Sequence, residues 1–305
     1  MKIHSRNEWD PLREIVVGTA AHANWPCRDP VWAQEAQHTK WQESTPPKGP
    51  VPHWIIEETQ EDLESLCHIL TAAGVKVHRP GTVDYQQTDG FSAYCPRDRV
   101  LIAGDTVVDV AMLYPSRIQE IFGLESLLQG APRLTMPLGQ NMICDAANIC
   151  RLGDDWLFLE SRSGNQAAVQ WLAAAFPSVR IHICRFYQGV HIDSTVVPLR
   201  EGVVMLNASR VTPDTVPEPL RNWDKIWISD CVAQDFYQYP YASKWIGMNT
   251  LSIDPHTVIV DAAQTEIIKT LEQRHFTVIP HTLRHSRTLG GGHHCVTLDL
   301  WRQHD

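Results

Sequence analysis

The sequence has no C-x-x-C pair, no leading apolar stretch and no apolar run long enough to cross a bilayer. Its eight cysteines (27, 67, 95, 144, 150, 184, 231 and 295) are irregularly spaced. That spacing argues against a structural zinc module and against a compact disulfide scaffold. The expectation is a reduced, cytoplasmic protein in which most thiols are buried and inert. An excess of positive charge is also missing: 26 Lys and Arg face 35 Asp and Glu, a formal net charge of −9. Nothing in that balance favours nucleic acid or an anionic membrane surface, whereas a small cationic ligand suits it. At 43% hydrophobic and 20% charged, the 305 residues have an ordinary globular composition.

What is present is a repeating unit. A strand over 154–160, a helix over 165–176 with Ala168, Trp171, Leu172 and Ala175 on one face, and a strand over 179–184 follow in order. The same order recurs in 257–261, 263–273 and 276–280, and again, with a longer insertion, in 13–18, 57–71 and 75–78. Residues 99–110 read as a hairpin with a Gly-Asp turn, followed by a helix over 117–128. Residues 194–207 read as another hairpin, followed by a short helix over 213–222 and the strand KIWIS. Such a unit cannot bury its own apolar face, so about five copies imply stacking into a ring or solenoid. A last strand over 295–301 is placed to close the first unit and make a propeller-like α/β ring. A doubly wound α/β sheet is the competing architecture. Two aromatic stretches interrupt the pattern: proline-rich 22–56, with Trp25, Trp32, Trp41 and Trp54, and 231–248. Long loops of this kind gather on functional faces, although plain packing explains them equally well.

Reactive side chains cluster at the unit junctions: YCPRD (94–98), CDAAN (144–148), VHIDS (190–194), ASKWI (242–246) and GGGHHC (290–295). In a ring, these junctions converge on the axis. In an extended His191-Ile192-Asp193 segment, the histidine and the aspartate point to one face and can serve a metal or a polar substrate. Asp145 follows an apolar turn and needs a charged or hydrogen-bonding partner if buried, for which an imidazole would serve. Cys295 follows three glycines, which allow close backbone approach, and starts a strand. A thiolate there beside an imidazole is a competent nucleophile. A metal bound by His293, His294 and Cys295 is the rival reading, opposed by the alternation of adjacent side chains along a strand.

These segments, in this order, resemble the amidinotransferases of the guanidino-modifying pentein superfamily. The resemblance rests on NEWDPLREIVVG at the start, PRD at 96–98, CDAAN, HIDST at 191–195, SKWIGMN at 243–249 and LGGGHHC at 289–295. It runs from about residue 7 to residue 302. It implies a five-bladed pseudo-symmetric α/β-propeller built from ββαβ repeats, as a single domain over 1–305. It also implies that Cys295 is the nucleophile, His191 the general acid and base, and Asp145 the carboxylate orienting that histidine. Asp98 and Asp193 fall at the positions that clasp a guanidinium, Arg210 at the one holding a substrate α-carboxylate, and Ser243 accompanies it. One departure is Asn148, where the family keeps an aspartate; another is Gln188-Gly189-Val190 before His191, which puts glycine as acceptor in doubt.

The implied reaction is transfer of the amidino group of L-arginine to an amine through an amidino-cysteine intermediate, releasing ornithine. It needs no metal and no organic cofactor. The same residues would support hydrolysis by an arginine deiminase-like enzyme, since only the pocket and its exclusion of water separate the outcomes. A non-catalytic pentein that binds a metabolite, and a metalloenzyme using His191, Asp193, His294 and Cys295, are the remaining alternatives. The partners expected are small molecules, with no nucleic acid and no membrane, and with a homodimer left open.

Overall fold

The computed structural model describes residues 2–34, 46–139, 141–237 and 241–304. Five three-stranded sheets form its frame. The first joins β1 (Leu12–Val17), β4 (Lys76–His78) and β17 (Thr297–Arg302), with the short pair β2 (Asn24–Trp25) and β3 (Gly49–Pro50) in the intervening insertion. The second joins β5 (Val100–Ala103), β6 (Thr106–Asp109) and β7 (Arg133–Thr135). The third joins β8 (Ile149–Leu152), β9 (Asp155–Leu159) and β10 (Arg180–Cys184), and the fourth β11 (Val196–Arg200), β12 (Val203–Asn207) and β13 (Asp224–Ile228). The fifth joins β14 (Leu251–Asp254), β15 (Thr257–Asp261) and β16 (Thr277–His281). In each blade the middle strand runs antiparallel to one neighbour and parallel to the other, so the parallel partner requires a crossover. This is the ββαβ repeat, five times over. The last strand, β17, pairs with β1, with Val17 opposite Thr297, so the C-terminal chain completes the first blade as the sequence suggests.

Helical crossovers occupy His53–Ala72, Gln166–Ala175 and Thr265–Glu272. The first buries Ile55, Thr59, Leu63, Leu66 and Leu70, a three-and-four spacing that lays one stripe on its sheet. Truncating Leu66 to alanine would cost about 2–5 kcal/mol. The second and fourth blades differ from expectation. Pro115–Gly123 is a 3₁₀ segment followed by the single turn Glu125–Leu128. The helix expected over 213–222 is two 3₁₀ turns, Pro213–Thr215 and Glu218–Leu220. Pro213, Pro217 and Pro219 supply no N–H and cannot carry α-helical hydrogen bonds through that stretch.

Burial grades across every blade. The strands β5, β8, β11, β14 and β17 are almost wholly buried, whereas β7 and β4 have no buried residue. The buried strands are tied to one another by side chains. Arg151 on β8 donates to the carbonyl of Ile102 on β5 at 2.8 Å and to Asp299 on β17 at 2.8 Å. Arg302 on β17 donates to the carbonyl of Ser252 on β14 at 3.0 Å, and the Ser252 hydroxyl donates to Leu199 O on β11 at 3.3 Å. One connected network therefore touches the innermost strand of all five blades. Glu8 and Arg97 complete it, through Glu8 to Arg151 and Arg97 to Asp299.

The two aromatic insertions pack on each other. Trp25 stacks on Tyr237 with ring centres 5.8 Å apart, and Trp32 lies 5.2 Å from Tyr241 and 5.5 Å from Phe91. Trp41 lies outside the described residues. No helix among the described residues is long and apolar enough to cross a membrane.

Candidate active site

Each blade offers the residues just ahead of its innermost strand to the same end of the molecule. Asp98 precedes β5, Asp145 precedes β8, His191 and Asp193 precede β11, Asn249 precedes β14 and Cys295 precedes β17. The repeat converts positions scattered over about two hundred residues into one cluster, which is the convergence the junction motifs predict.

The His191 ring lies with Nε2 3.0 Å from Asp145 Oδ2, and the other oxygen of Asp145 accepts the Leu113 N–H at 2.8 Å. Both oxygens of this fully buried carboxylate are thus engaged, and the imidazole is held by one edge. Nδ1 faces Asp98 Oδ1 at 3.7 Å, too long for a hydrogen bond. The Cys295 thiol lies 3.2 Å from Asp193 Oδ2 and is close enough to His191 for the two groups to shift each other's titration. Asp98 Oδ2 accepts from Arg117 at 2.9 Å, while Asp98 Oδ1 is buried with no hydrogen-bond partner. Arg117 itself forks onto Glu120 at 2.8 and 3.0 Å.

The backbone that aims His191 is not the extended segment expected from His-Ile-Asp. Residues 191–195 form a bend and turn, and His191 adopts φ 61°, in the left-handed region. A non-glycine residue held there stores roughly 1–3 kcal/mol of strain. Asn148 Oδ1 accepts the His191 N–H at 3.1 Å, Ala147 O accepts the Ile192 N–H at 2.9 Å, and the Tyr187 hydroxyl sits against the His191 carbonyl. Asn148 is buried and satisfied on both sides: Oδ1 also accepts from Ser163, and Nδ2 donates to Leu159 O at 2.8 Å. An aspartate could not make that last bond.

The glycine-rich turn before Cys295 is equally constrained. Gly290 has φ +81°, and a Cβ there would meet the Tyr241 ring at 2.6 Å. A Cβ on Gly291 would meet Cys95 Sγ at 2.3 Å. The glycines bring the turn against an aromatic wall and a second thiol. Asn249 Oδ1 then accepts two consecutive N–H groups, of His294 at 3.0 Å and Cys295 at 2.9 Å, while its Nδ2 donates to Asp193 O at 3.2 Å. Sequence reasoning passed over Asn249 although it ends the SKWIGMN motif; its position two residues before an innermost strand, like Asp98 and Cys295, is the signal that marks it.

Electrostatics follow from crowding three carboxylates around a thiol and an imidazole. Burial alone would lower the His191 imidazolium, but Asp98, Asp145 and Cys295 outweigh it and hold the group well above its usual range. Hydrogen bonding from Cys95, burial and Asp193 push the Cys295 thiol well above its own, against the pull of His191. Burial raises Asp98, opposed by His191 and Arg117. Burial also works against ionised Asp193, yet His294 and neighbouring charges hold it down at about 2. Without a ligand the cluster therefore favours a cationic imidazole beside a neutral thiol.

The remaining expected residues lie further out. Arg210 donates to Thr195 Oγ1 at 2.8 Å and stacks on the Tyr187 ring at 4.1 Å; it pairs with no carboxylate among the described residues. Ser243 is exposed at the start of the 3₁₀ turn Lys244–Met248, where its side chain makes no capping hydrogen bond. His293 turns away from the cluster to His281, with ring nitrogens 3.0 Å apart, and burial lowers it to about 3. Among the described residues, no group of three or more His, Cys, Asp and Glu side chains is arranged to hold a metal ion.

No protein-family model matches the chain. It is 42% identical to inosamine-phosphate amidinotransferase 1 of Streptomyces glaucescens, over 97% of this chain and 95% of that one. It is 28% identical to the L-arginine:L-lysine amidinotransferase of Pseudomonas savastanoi pv. phaseolicola, over 98% of this chain and 94% of the other. The solved structure of the inosamine-phosphate amidinotransferase of Streptomyces griseus superposes with a TM-score of 0.93 at 37% identity, covering 99% of this chain and 97% of that one.

Proposed function

Because the chain belongs to the amidinotransferases, we propose that its donor is L-arginine, that the amidino group passes through Cys295, and that ornithine leaves. The observation that carries this reading is the pair of carboxylates flanking the thiol. Asp98 presents a buried oxygen without a partner, and Asp193 uses Oδ2 for Cys295 and His294, leaving Oδ1 to a ligand. A planar guanidinium laid between them receives charge-assisted hydrogen bonds on both edges and is held for attack at its central carbon.

The bound cation also offsets the carboxylate field that keeps the Cys295 thiol protonated, so its proton leaves for solvent as arginine arrives. The thiolate adds to the guanidinium carbon. The His191 imidazolium donates a proton to the departing nitrogen, the carbon–nitrogen bond breaks, and ornithine leaves an amidino-thioether behind. His191 is now neutral. An acceptor amine entering the vacated space attacks the same carbon, its surplus proton goes to His191, and the carbon–sulfur bond breaks to return the thiolate. Asp145 keeps the ring in one orientation through both halves. Arg210, lacking a carboxylate partner, is available for the α-carboxylate of arginine; Ser243 is assigned beside it on the resemblance alone.

The acceptor we favour is an aminocyclitol phosphate, since the relatives at 42% and 37% identity act on inosamine phosphate whereas the lysine-using relative stands at 28%. The test is incubation with arginine and a panel of amines (an aminocyclitol phosphate, glycine and lysine), with ornithine, citrulline and guanidinylated product quantified. Ornithine that appears only with one amine, matched by its guanidinylated product, supports the reading. Citrulline formed without dependence on any amine would replace transfer with hydrolysis.

A further inference from the structure

The second histidine of the Gly-Gly-Gly-His-His-Cys run takes no step in the reaction above, yet it is held on both edges. His294 Nδ1 lies 2.9 Å from Asp193 Oδ2, and Nε2 lies 3.2 Å from Glu8 Oε2. An ionised carboxylate only accepts, so each of these contacts is a hydrogen bond when the ring nitrogen facing it carries the proton. Glu8 is ionised: burial opposes its charge, but Arg151 forks onto both of its oxygens at 2.9 and 2.8 Å and, with His294, holds it well below the usual range. Water does little to dilute this charge. The cavity beside Glu8, Asp193 and His294 is about 20 Å³, room for roughly one water, and its far wall is Ile149, Val196 and Val197.

The backbone on either side is fixed as well. Asn249 accepts the His294 N–H and donates to the Asp193 carbonyl, so the two residues are pinned to one amide. The oxygen of Asp193 that meets His294 is also the one 3.2 Å from Cys295 Sγ. Glu8 in turn belongs to the axial network through Arg151 and Asp299. A continuous chain of hydrogen bonds thus runs from the centre of the ring to the carboxylate beside the thiol.

We propose that His294 is a positioning residue for amidino transfer: wedged between Glu8 and Asp193, it fixes the carboxylate that receives the guanidinium and anchors it to the axial network. The proposal rests on the reading of Asp193 as a guanidinium clasp. It gives the His-Cys pair a division of labour, with the thiol making the bond and its neighbour setting the geometry of the substrate.

Neutron diffraction from the intact protein at pH 7.5 reads the ring directly. Deuterium on His294 Nδ1, shared with Asp193, is expected; its absence there overturns the proposal, whatever any variant does. Kinetics supply the second arm. The amide of His294→Asn reaches the place of Nδ1 and can still donate to Asp193, whereas that of His294→Gln reaches toward Glu8 instead. His294→Gln is expected to raise KM for arginine about tenfold to hundredfold, the scale of one charge-assisted hydrogen bond, with kcat changed far less. His294→Asn should recover most of that loss. Equal KM in both variants and the parent overturns the proposal. Asp193→Asn serves as the control: if it too binds arginine normally, the clasp itself is misassigned, and if it alone fails, only the role of His294 falls.

Discussion

Two clusters of buried charge adjoin in this molecule, and they are built on opposite principles. On the axis, Asp299 receives Arg97 on one oxygen and Ser5, Arg151 and Arg302 on the other. Burial would raise its carboxyl, but the three arginines hold it well below the usual range. In the site, Asp98 is just as buried but receives one arginine that is already forked onto Glu120, and its carboxyl is raised. Asp98, Asp145, Asp193 and Glu120 there face Arg117, His191 and His294. The axis is electrostatically finished and works as scaffold. The site is left short of positive charge, and a cationic substrate completes it. Equal burial therefore does not mean equal purpose; the number of fixed partners separates structure from function.

The widest separation between the clusters comes from Cys295→Ala. Ornithine formation should fall below detection, while the melting temperature stays within a few degrees because a small buried side chain is exchanged for a smaller one. A variant keeping a tenth of the activity would remove Cys295 from the bond-making role. Next in size is Asp145→Asn, which leaves shape intact but presents an amide that can impose the wrong tautomer and orientation on His191. By analogy with other His–Asp pairs, kcat should drop by about 10³–10⁴, with a much smaller change in KM, read by steady-state ornithine release.

The same Asp→Asn exchange made once in each cluster tests the comparison most directly. Asp299→Asn leaves three buried arginines short of a counter-charge and should cost about 3–5 kcal/mol in denaturant unfolding. Asp98→Asn relieves a carboxyl that burial already disfavours, and Arg117 keeps Glu120. Its stability should change little or rise, while arginine binding weakens at least tenfold, the cost of a lost charge-assisted bond. If both variants lose stability equally, the two clusters are not different in kind.

How far the sequence foretold this arrangement depends on the kind of interaction. Cys295, His191, Asp145 and Asp193 lie at unit junctions, so the repeat and its junction motifs lead to them without coordinates, whereas Asp98 and the separate roles come from the family resemblance. The closing strand was legible for the same reason. Asn148 stood out only as a departure from the family pattern and Asn249 not at all, because each works by bonding backbone N–H of another blade, and no local pattern specifies such a partner. Glu8 lies 286 residues from His294, a pairing that only ring closure creates. The extended reading of His-Ile-Asp missed the left-handed bend at His191, since a side-chain pattern does not reveal a backbone held in place by a distant asparagine. In the fourth blade, three prolines outweighed a repeat that asked for a helix.

The smallest expected effect lies in the pH dependence of stability, and it distinguishes the clusters without any substrate turnover. His191 is raised in the folded protein above its unfolded value of about 6.5, so its contribution is complete below that pH and is lost as pH climbs through the folded value. The Cys295 thiol is raised as well; above about 8.5 the unfolded chain ionises it more readily than the folded one, which again lowers stability on the alkaline side. Asp299, held low, has the reverse sign: its contribution is intact at neutral pH and is lost only as pH falls below about 4 toward the folded value. The free protein should therefore lose melting temperature from pH 7 to 9.5, with His191 and Cys295 contributing beside the other buried thiols that are raised, and Asp299 contributing nothing there. Cys295→Ala should flatten the part of that slope above pH 8.5, and Asp299→Asn should leave its steepness unchanged. In the Cys295→Ala protein, which cannot react, saturating arginine should flatten it further, since a cation between Asp98 and Asp193 offsets the field that raises His191. Scanning calorimetry across that range checks all three; an alkaline slope identical in the parent and in Cys295→Ala would mean that the thiol carries none of the strain assigned to it.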